Sequence, residues 1–122
     1  MTTVDVSVII PAWKAAGFIE RAVASALAST GVSVQVVVVD DGSEDDTAAV
    51  VARFGGRVRY INQSRGGLSA ARNTGITTAR GAYVAALDAD DMYEPEFVRV
   101  LLALVHDTGA QGAYCGYQLV DE

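Results

Sequence analysis

The sequence predicts an α/β fold in which a mostly parallel β-sheet is covered by helices on both faces, giving three layers. Short apolar runs alternate along the chain with segments whose apolar residues recur at helical spacing. The run from Val34 to Val39 is nearly continuous valine, which is typical of a central parallel strand buried on both faces. The chain has 122 residues, 51% of them hydrophobic, which fits one domain with its own core.

The first strand and helix are predicted from a β-branched run and a helical repeat. Val6 to Ile10 predicts a strand that Pro11 should end. The following helix should end at Gly31. Its apolar face is expected to consist of Phe18, Ile19, Ala22, Val23, Ala26 and Leu27.

The middle of the chain repeats this order. After the valine strand, Ser43 and Asp46 resemble a capping box with Asp in place of Glu, which predicts a helix from there to Gly55. The remaining predicted elements are a strand over 58–61, a helix over 68–79, a strand over 83–87, a helix beginning near Pro95 and ending at Gly109, and a last strand near 113–119.

Carboxylates stand where two of the apolar strands end. Asp88, Asp90 and Asp91 follow the strand over 83–87, and Asp40 and Asp41 end the valine strand. Crowded or buried carboxylates are costly unless a cation compensates them, and hard divalent cations prefer oxygen ligands. Because parallel strands place their carboxyl ends on one edge of the sheet, these acids and the segment 11–14 after the first strand should form one site.

Composition excludes several other classes of function. The formal net charge of −6 and a pI of about 4.6 disfavour binding to nucleic acid and electrostatic docking on anionic lipid. Cys115 is the only cysteine, so no internal disulfide can form, and its place in an apolar run favours a buried, inert thiol. No signal peptide and no membrane-spanning run is visible. We therefore expect a cytoplasmic protein, or one peripheral to the membrane in its full-length form.

Four sequence blocks in this order resemble the nucleotide-binding half of a family 2 glycosyltransferase with the GT-A fold, a Rossmann-like fold. The resemblance runs from about Val4 to Tyr117. The blocks are the segments at 8–13 (VIIPAW), 38–47 (VVDDGSEDDT), 67–76 (GLSAARNTGI) and 87–91 (LDADD).

The resemblance implies roles for the acidic residues. Asp90 would ligate Mn²⁺ or Mg²⁺ on the diphosphate of a nucleotide-sugar, while Asp88 would face the ribose or the waters of the metal, with Ala89 between them. Asp40 would accept a hydrogen bond from the base, and Asp41 would brace the loop or contact the nucleotide. Alternatively, Asp40 and Asp41 only cap the helix expected to start near Ser43.

The resemblance also implies a lining for the nucleotide. Pro11, Ala12 and Trp13 match the loop that lines base and ribose. The family usually has Tyr followed by Asn here, so Trp13 keeps a flat face for stacking whereas the polar contact of the Asn is missing. Gly67 allows close backbone approach. Arg72 would lie near the base or diphosphate, or pair with Asp40 or Asp88.

The activity that the resemblance implies is inverting transfer of a hexose to a saccharide or lipid-linked acceptor, in polysaccharide or cell-envelope synthesis. The donor that the family implies is a UDP-sugar. We expect residues 1–122 to form a single donor-binding domain, truncated before the acceptor-binding half. The general base for the reaction is therefore expected outside these residues. Two alternatives remain: a non-catalytic nucleotide-sugar-binding or interaction module of the same fold, and a receiver-like phosphoacceptor domain. The second is disfavoured because Pro11 and Ala12, not an acidic pair, follow the first strand.

Overall fold

The computed structural model describes residues 3–113, in which strands and helices alternate from the first strand to the last helix. The strands are β1 (Val6–Ala12), β2 (Val34–Asp40), β3 (Val58–Asn62) and β4 (Tyr83–Ala86). The helices are α1 (Ile19–Leu27), α2 (Thr47–Ala52), α3 (Leu68–Thr78) and α4 (Phe97–Thr108), and a 3₁₀ turn at Gly55–Arg57 precedes β3. The predicted last strand and Cys115 lie outside the described residues, except for residue 113.

The four strands form one parallel sheet in the order β3-β2-β1-β4. The chain moves outward from β1 to β3 and then returns to the other side of β1, so the strand order reverses between β1 and β4. Open α/β sheets bind ligands outside the carboxyl ends of their strands at such a reversal. Ala12 lies opposite Asp40, whereas β4 ends at Ala86 opposite Ile9, so β4 stops short of its neighbour and leaves a notch.

Alternate residues of the sheet pack into two cores, which confirms helices on both faces. One core combines residues of β1 and β2 with the apolar faces of α1 and α2; its strand members include Val8, Ile10, Val36 and Val38. The other contains Ile9, Val37 and Val39 against Ala71 of α3. Helix α3 lies close to the sheet because Gly75 has no side chain: a Cβ there would stand 2.3 Å from Cγ2 of Ile9.

The prediction that Pro11 ends the first strand is wrong, because β1 continues through Pro11 to Ala12. The backbone groups of Ile9 face β4, since the Ile9 carbonyl accepts the Leu87 N–H at 3.1 Å, a normal ladder hydrogen bond. Pro11 faces the same side two residues later, where β4 has already ended. A proline there removes no ladder hydrogen bond, so the strand tolerates it.

The predicted capping box at Ser43 and Asp46 is also wrong. Helix α2 begins only at Thr47, and neither side chain caps it in the expected way. Instead Asp45 accepts hydrogen bonds from the N–H (3.1 Å) and the hydroxyl (2.5 Å) of Thr47. The Ser43 hydroxyl accepts the Lys14 N–H at 2.8 Å, which joins the loop after β1 to the loop after β2.

The predicted apolar face of α1 is wrong at one residue. Phe18 precedes α1 and is 43% exposed, whereas Ile19, Ala22, Val23 and Ala26 are buried as predicted. On α4 only Val98 and Val105 are buried. Gly109 ends α4 with φ +70°, as predicted. Within residues 3–113, no helix combines the length and the apolar content that crossing a membrane would require.

Candidate functional site

A cleft of about 310 Å³ lies at the carboxyl edge of the sheet, where β1 ends and the chain leaves β4. Its lining comes from three segments: the end of β1 with the loop after it, the start of α3, and the loop after β4. The lining residues are Pro11, Trp13, Lys14, Ala15, Phe18, Leu68, Asp88, Ala89 and Asp90. The notch left by the short β4 therefore coincides with the position predicted from the strand-end carboxylates.

Trp13 is the aromatic surface of this cleft. Pro11 and Ala12 are buried at the end of β1, while the Trp13 side chain follows them into solvent and is 45% exposed. Lys14 adopts φ +50°, an uncommon backbone conformation for a residue with a side chain, and its N–H is fixed by Ser43. The loop is thus held in the shape that directs Trp13 and Lys14 to the cleft.

The two carboxylates of the loop after β4 differ in their surroundings. Asp88 accepts a hydrogen bond from the Arg72 guanidinium of α3 at 3.2 Å, the ion pair that the sequence had left as one option. The Asp90 side chain has no hydrogen bond or ion pair to any residue between 3 and 113. Asp91 follows them, and burial, then the negative charges of Asp90 and Asp88, raise its pKa above the usual range. This loop therefore carries excess negative charge that a cation would relieve.

The same loop offers few ligands of its own. No group of three or more His, Cys, Asp or Glu side chains with metal-binding geometry occurs within residues 3–113. Ions such as Mg²⁺ usually take one or two protein carboxylates and complete their shell with waters and substrate phosphates. Asp88 and Asp90 on the wall of an open cleft fit an ion held jointly with a phosphate-bearing ligand.

Asp40 does not line the cleft. It is completely buried, its Oδ1 accepts the Ser43 N–H at 2.9 Å and its Oδ2 accepts the Tyr60 hydroxyl at 2.6 Å. Burial, together with this hydrogen bond to the Asp40 carboxylate, raises the pKa of the Tyr60 hydroxyl. Asp40 thus shapes the turn after β2, and Tyr60 of β3 fixes it from the neighbouring strand.

We predict that Tyr60→Phe lowers the free energy of unfolding by about 1–2 kcal/mol, because the buried Asp40 carboxylate loses a hydrogen-bond donor. Urea unfolding followed by circular dichroism measures this. Tyr83→Phe is the matched control, since the Tyr83 hydroxyl has no hydrogen bond to the described part of the chain. Equal midpoints for the two variants would show that the bond to Asp40 contributes nothing.

Asp41 organises the loop between β3 and α3. Its Oδ1 accepts the Gln63 side-chain amide at 2.9 Å and the Gly66 N–H at 2.9 Å. Its Oδ2 accepts the Gly67 N–H at 2.8 Å and the Arg65 Nε–H at 3.2 Å. The Gln63 hydrogen bond is the largest of the effects that lower the pKa of Asp41. Asp41 is 3% exposed, so in this structure it braces the loop and does not present its carboxylate to a ligand.

The predicted residues therefore fall into two groups. Pro11, Trp13, Asp88, Ala89 and Asp90 lie together on the cleft. Ala12, Asp40, Asp41, Gly67 and Arg72 do not line it, and they support the loops around it. Lys14, which belongs to the segment 11–14 predicted to join the site, also lies on the cleft. Sequence reasoning missed Phe18 and Leu68, which are exposed apolar residues on the cleft.

Arg65 is a loop residue with contacts that its place in the sequence does not indicate. The structure stacks its guanidinium over the Trp13 ring, with the Arg65 Cζ 3.5 Å from the ring centroid, and pairs it with Asp41. No local sequence signal marks this contact, because the two residues are brought together only by the Asp41-braced loop.

A parallel α/β sheet with an acidic, aromatic-walled cleft at its point of strand reversal defines a class of Rossmann-like, ligand-binding domains. The chain belongs to glycosyl transferase family 2, whose sequence profile matches residues 7–122. The family resemblance predicted from about Val4 to Tyr117 is confirmed by this match. The predicted GT-A fold is confirmed by the solved structures described below.

Known proteins similar to this chain are larger than it is. The succinoglycan biosynthesis protein ExoO of Rhizobium meliloti is 46% identical over 109 residues, which are 88% of this chain and 31% of that protein. S. aureus TarS in complex with UDP-GlcNAc superimposes with a TM-score of 0.75 at 26% identity, covering 84% of this chain and 31% of that one.

A third similar protein was solved with metal and nucleotide. Glucosyl-3-phosphoglycerate synthase from Mycobacterium tuberculosis, in complex with Mn²⁺, UDP and glucosyl-3-phosphoglycerate, superimposes with a TM-score of 0.71 at 25% identity. The match covers 84% of this chain and 39% of that one. The chain thus spans no more than 39% of the length of any of these three proteins.

Proposed function

We propose that this chain is the donor-binding part of an inverting glycosyltransferase, which binds a nucleotide-diphospho-sugar, in the first instance a UDP-sugar, at the cleft between β1 and β4. The observation that carries the proposal is the pairing, on one cleft, of the exposed Trp13 ring with the Asp90 carboxylate that has no partner within residues 3–113. A flat ring suits a base, and a carboxylate suits a cation on a diphosphate.

The other residues would support the two ends of such a ligand. Pro11 and Ala12 shape the wall behind Trp13, and Lys14 places a cation on the cleft. Arg72 holds Asp88 in place, while Asp41 and Gly67 fix the loop that leads into α3. Asp40 would act on the base only through the turn that it shapes, or after that turn opens, because its carboxylate is buried. The proposal thus assigns direct contact to the five predicted residues on the cleft and support to the predicted residues away from it. The first group is Pro11, Trp13, Asp88, Ala89 and Asp90, and the second is Ala12, Asp40, Asp41, Gly67 and Arg72.

Asp90 and Asp88 would hold a Mn²⁺ or Mg²⁺ ion together with the diphosphate. When bound, such an ion neutralises charge that builds on the leaving diphosphate. The similarity to a synthase solved with Mn²⁺ and UDP supports this choice of ion and nucleotide.

The acceptor site and the general base are proposed to lie beyond this chain, in a part of the protein that the longer relatives contain. The acceptor would be a saccharide or a lipid-linked sugar, and polysaccharide synthesis is favoured by the similarity to a succinoglycan biosynthesis protein. The proposal implies that the 122-residue chain binds donor but transfers sugar slowly or not at all. Robust transfer to an acceptor by this chain alone would contradict that part of the proposal.

Titration calorimetry with UDP tests the donor site. We expect Mn²⁺-dependent binding by the wild-type chain and at least a tenfold weaker affinity for Asp90→Ala, about 1.4 kcal/mol. Asp107→Ala removes an equally exposed carboxylate from α4, far along the chain from the cleft residues, and should bind like wild type.

Each outcome of the titration has a distinct meaning. Equal affinities for Asp90→Ala and Asp107→Ala would exclude Asp90 as the metal ligand. The third outcome is that UDP, dTDP and GDP all fail to bind with either metal, both to this chain and to the protein extended by its natural downstream sequence. That result would favour a non-catalytic interaction module of the same fold.

A further inference from the structure

The Trp13 ring is contacted by a cation from a distant loop. The Arg65 Cζ lies 3.5 Å from the ring centroid, and the Lys14 Nζ lies 4.8 Å from it. A guanidinium plane over an indole face makes a favourable cation–π and stacking contact, which a compact ammonium group reproduces only in part. Lys14 belongs to the cleft lining and Arg65 does not, so Arg65 holds the ring from outside the cleft.

Arg65 itself is held at both its side chain and its backbone. Its Nε–H donates to the Asp41 carboxylate at 3.2 Å. Gly66 and Gly67, the next two residues, donate their N–H groups to the same carboxylate. Gly42, with φ +83°, lets the Arg65 backbone approach closely, since a Cβ on Gly42 would stand 3.0 Å from the Arg65 nitrogen. The position of the Arg65 guanidinium is therefore determined by the buried Asp41 carboxylate and by the backbone of the surrounding loop.

We infer that Arg65 is a positioning residue for recognition of the donor's base: tethered by Asp41, it holds the Trp13 ring in place at the wall of the cleft. The inference rests on the proposed function for its ligand, and on the contacts above for its geometry. A ring that is already oriented loses less conformational freedom when a base stacks on it, so affinity rises without a new contact to the ligand.

Trp13 is the only tryptophan in the chain, so its fluorescence reports this contact directly. The test compares wild type with Arg65→Met, which removes the guanidinium, and Arg65→Lys, which keeps the charge without the plane. Arg53→Met is the matched control, because Arg53 is exposed and its nearest carboxylate, on Glu20, is 4.0 Å away. Circular dichroism melting first establishes which variants are folded at the temperature of the assay.

The ligand-free measurement is acrylamide quenching of Trp13. We expect the quenching constant to rise about twofold in Arg65→Met, an intermediate rise in Arg65→Lys, and none in Arg53→Met. Wild-type quenching in Arg65→Met would overturn the inference, because the ring would then be held by other contacts. If Arg65→Met proves unfolded, Arg65→Lys decides: an increase supports the inference, and wild-type quenching overturns it.

The second measurement is the affinity for UDP with Mn²⁺, followed by the same fluorescence. A folded Arg65→Met should bind about two- to fivefold more weakly than wild type, while Arg53→Met should not differ. Increased quenching with unchanged UDP affinity would overturn the role in base recognition. If wild type and all variants fail to bind UDP, UDP is excluded as the ligand of this chain, and the titrations with dTDP, GDP and the extended protein decide the proposed function. The quenching data still report whether Arg65 positions Trp13.

Discussion

Gly81→Ala is expected to lower the free energy of unfolding by about 2 kcal/mol, because a side chain at position 81 has no room against the central strand. A Cβ on Gly81 would stand 2.5 Å from the Ser7 nitrogen and 2.8 Å from the Val6 carbonyl carbon. These are backbone atoms of β1, which cannot rotate away as a side chain can. The Gly81 N–H also donates to the buried Ser7 hydroxyl at 2.8 Å, so any shift of position 81 strains that bond.

Thermal melting of Gly81→Ala beside Gly56→Ala checks this prediction. No atom lies within 4 Å of a Cβ built on Gly56, and its backbone does not need a positive φ, so the control should melt like wild type or slightly higher. A loss of about 2 kcal/mol corresponds to roughly 8 °C for a domain of this size. Coinciding melting temperatures would mean that β4 moves away from β1 without cost.

Asp41→Asn is expected to destabilise the chain by about 2–3 kcal/mol near neutral pH, since both carboxylate oxygens accept hydrogen bonds and an amide group would turn a donor toward other donors. The four donors come from Gln63, Arg65, Gly66 and Gly67. Glu44→Gln, at an exposed carboxylate in the same loop after β2, should change stability little.

The same variant should be less sensitive to acid than wild type. The pKa of Asp41 in the folded chain lies below its ordinary value of 3.8, so the unfolded chain takes up the proton first as the pH falls. The stabilisation from Asp41 is therefore complete above about pH 4 to 5 and is lost as the pH falls from there through the folded pKa. Urea unfolding at several pH values should show the gap between wild type and Asp41→Asn shrinking below pH 4. A difference in unfolding free energy that stays constant with pH would show that the ionised form of Asp41 does not stabilise the fold more than the protonated form.

The fold could be predicted because its signals are local. The valine run of β2 and the glycine that ends α4 each determine the local conformation, and both lie within a residue or two of the predicted bounds. The helical repeat predicts the buried face of α1, although this helix ends at Leu27, before the predicted end at Gly31. The first strand is the exception. The effect of Pro11 depends on where the neighbouring strand ends, and that is a property of the assembled sheet.

The site could be predicted only where a strand end carries it. Asp88, Asp90 and Trp13 follow strands directly, so their place at the carboxyl edge follows from the order of the elements. The part played by Arg65 depends on the Asp41 carboxylate, 24 residues away in sequence, and on glycines at 42 and 67 with positive φ. The contact between Arg65 and Trp13 forms only once the loop is folded, so neither residue type nor spacing predicts it.

Pro11 also helps to keep the notch between β1 and β4 open. The last rung between β1 and β4 is the Leu87 N–H bound to the Ile9 carbonyl, and the next would need an N–H from Pro11, which has none. Further pairing of β4 along β1 would leave the Leu87 carbonyl without a donor, which disfavours closure of the opening. The opening therefore depends on the missing N–H of Pro11. Substitutions of the side chains around the cleft can change the ligand that fits, while the opening persists.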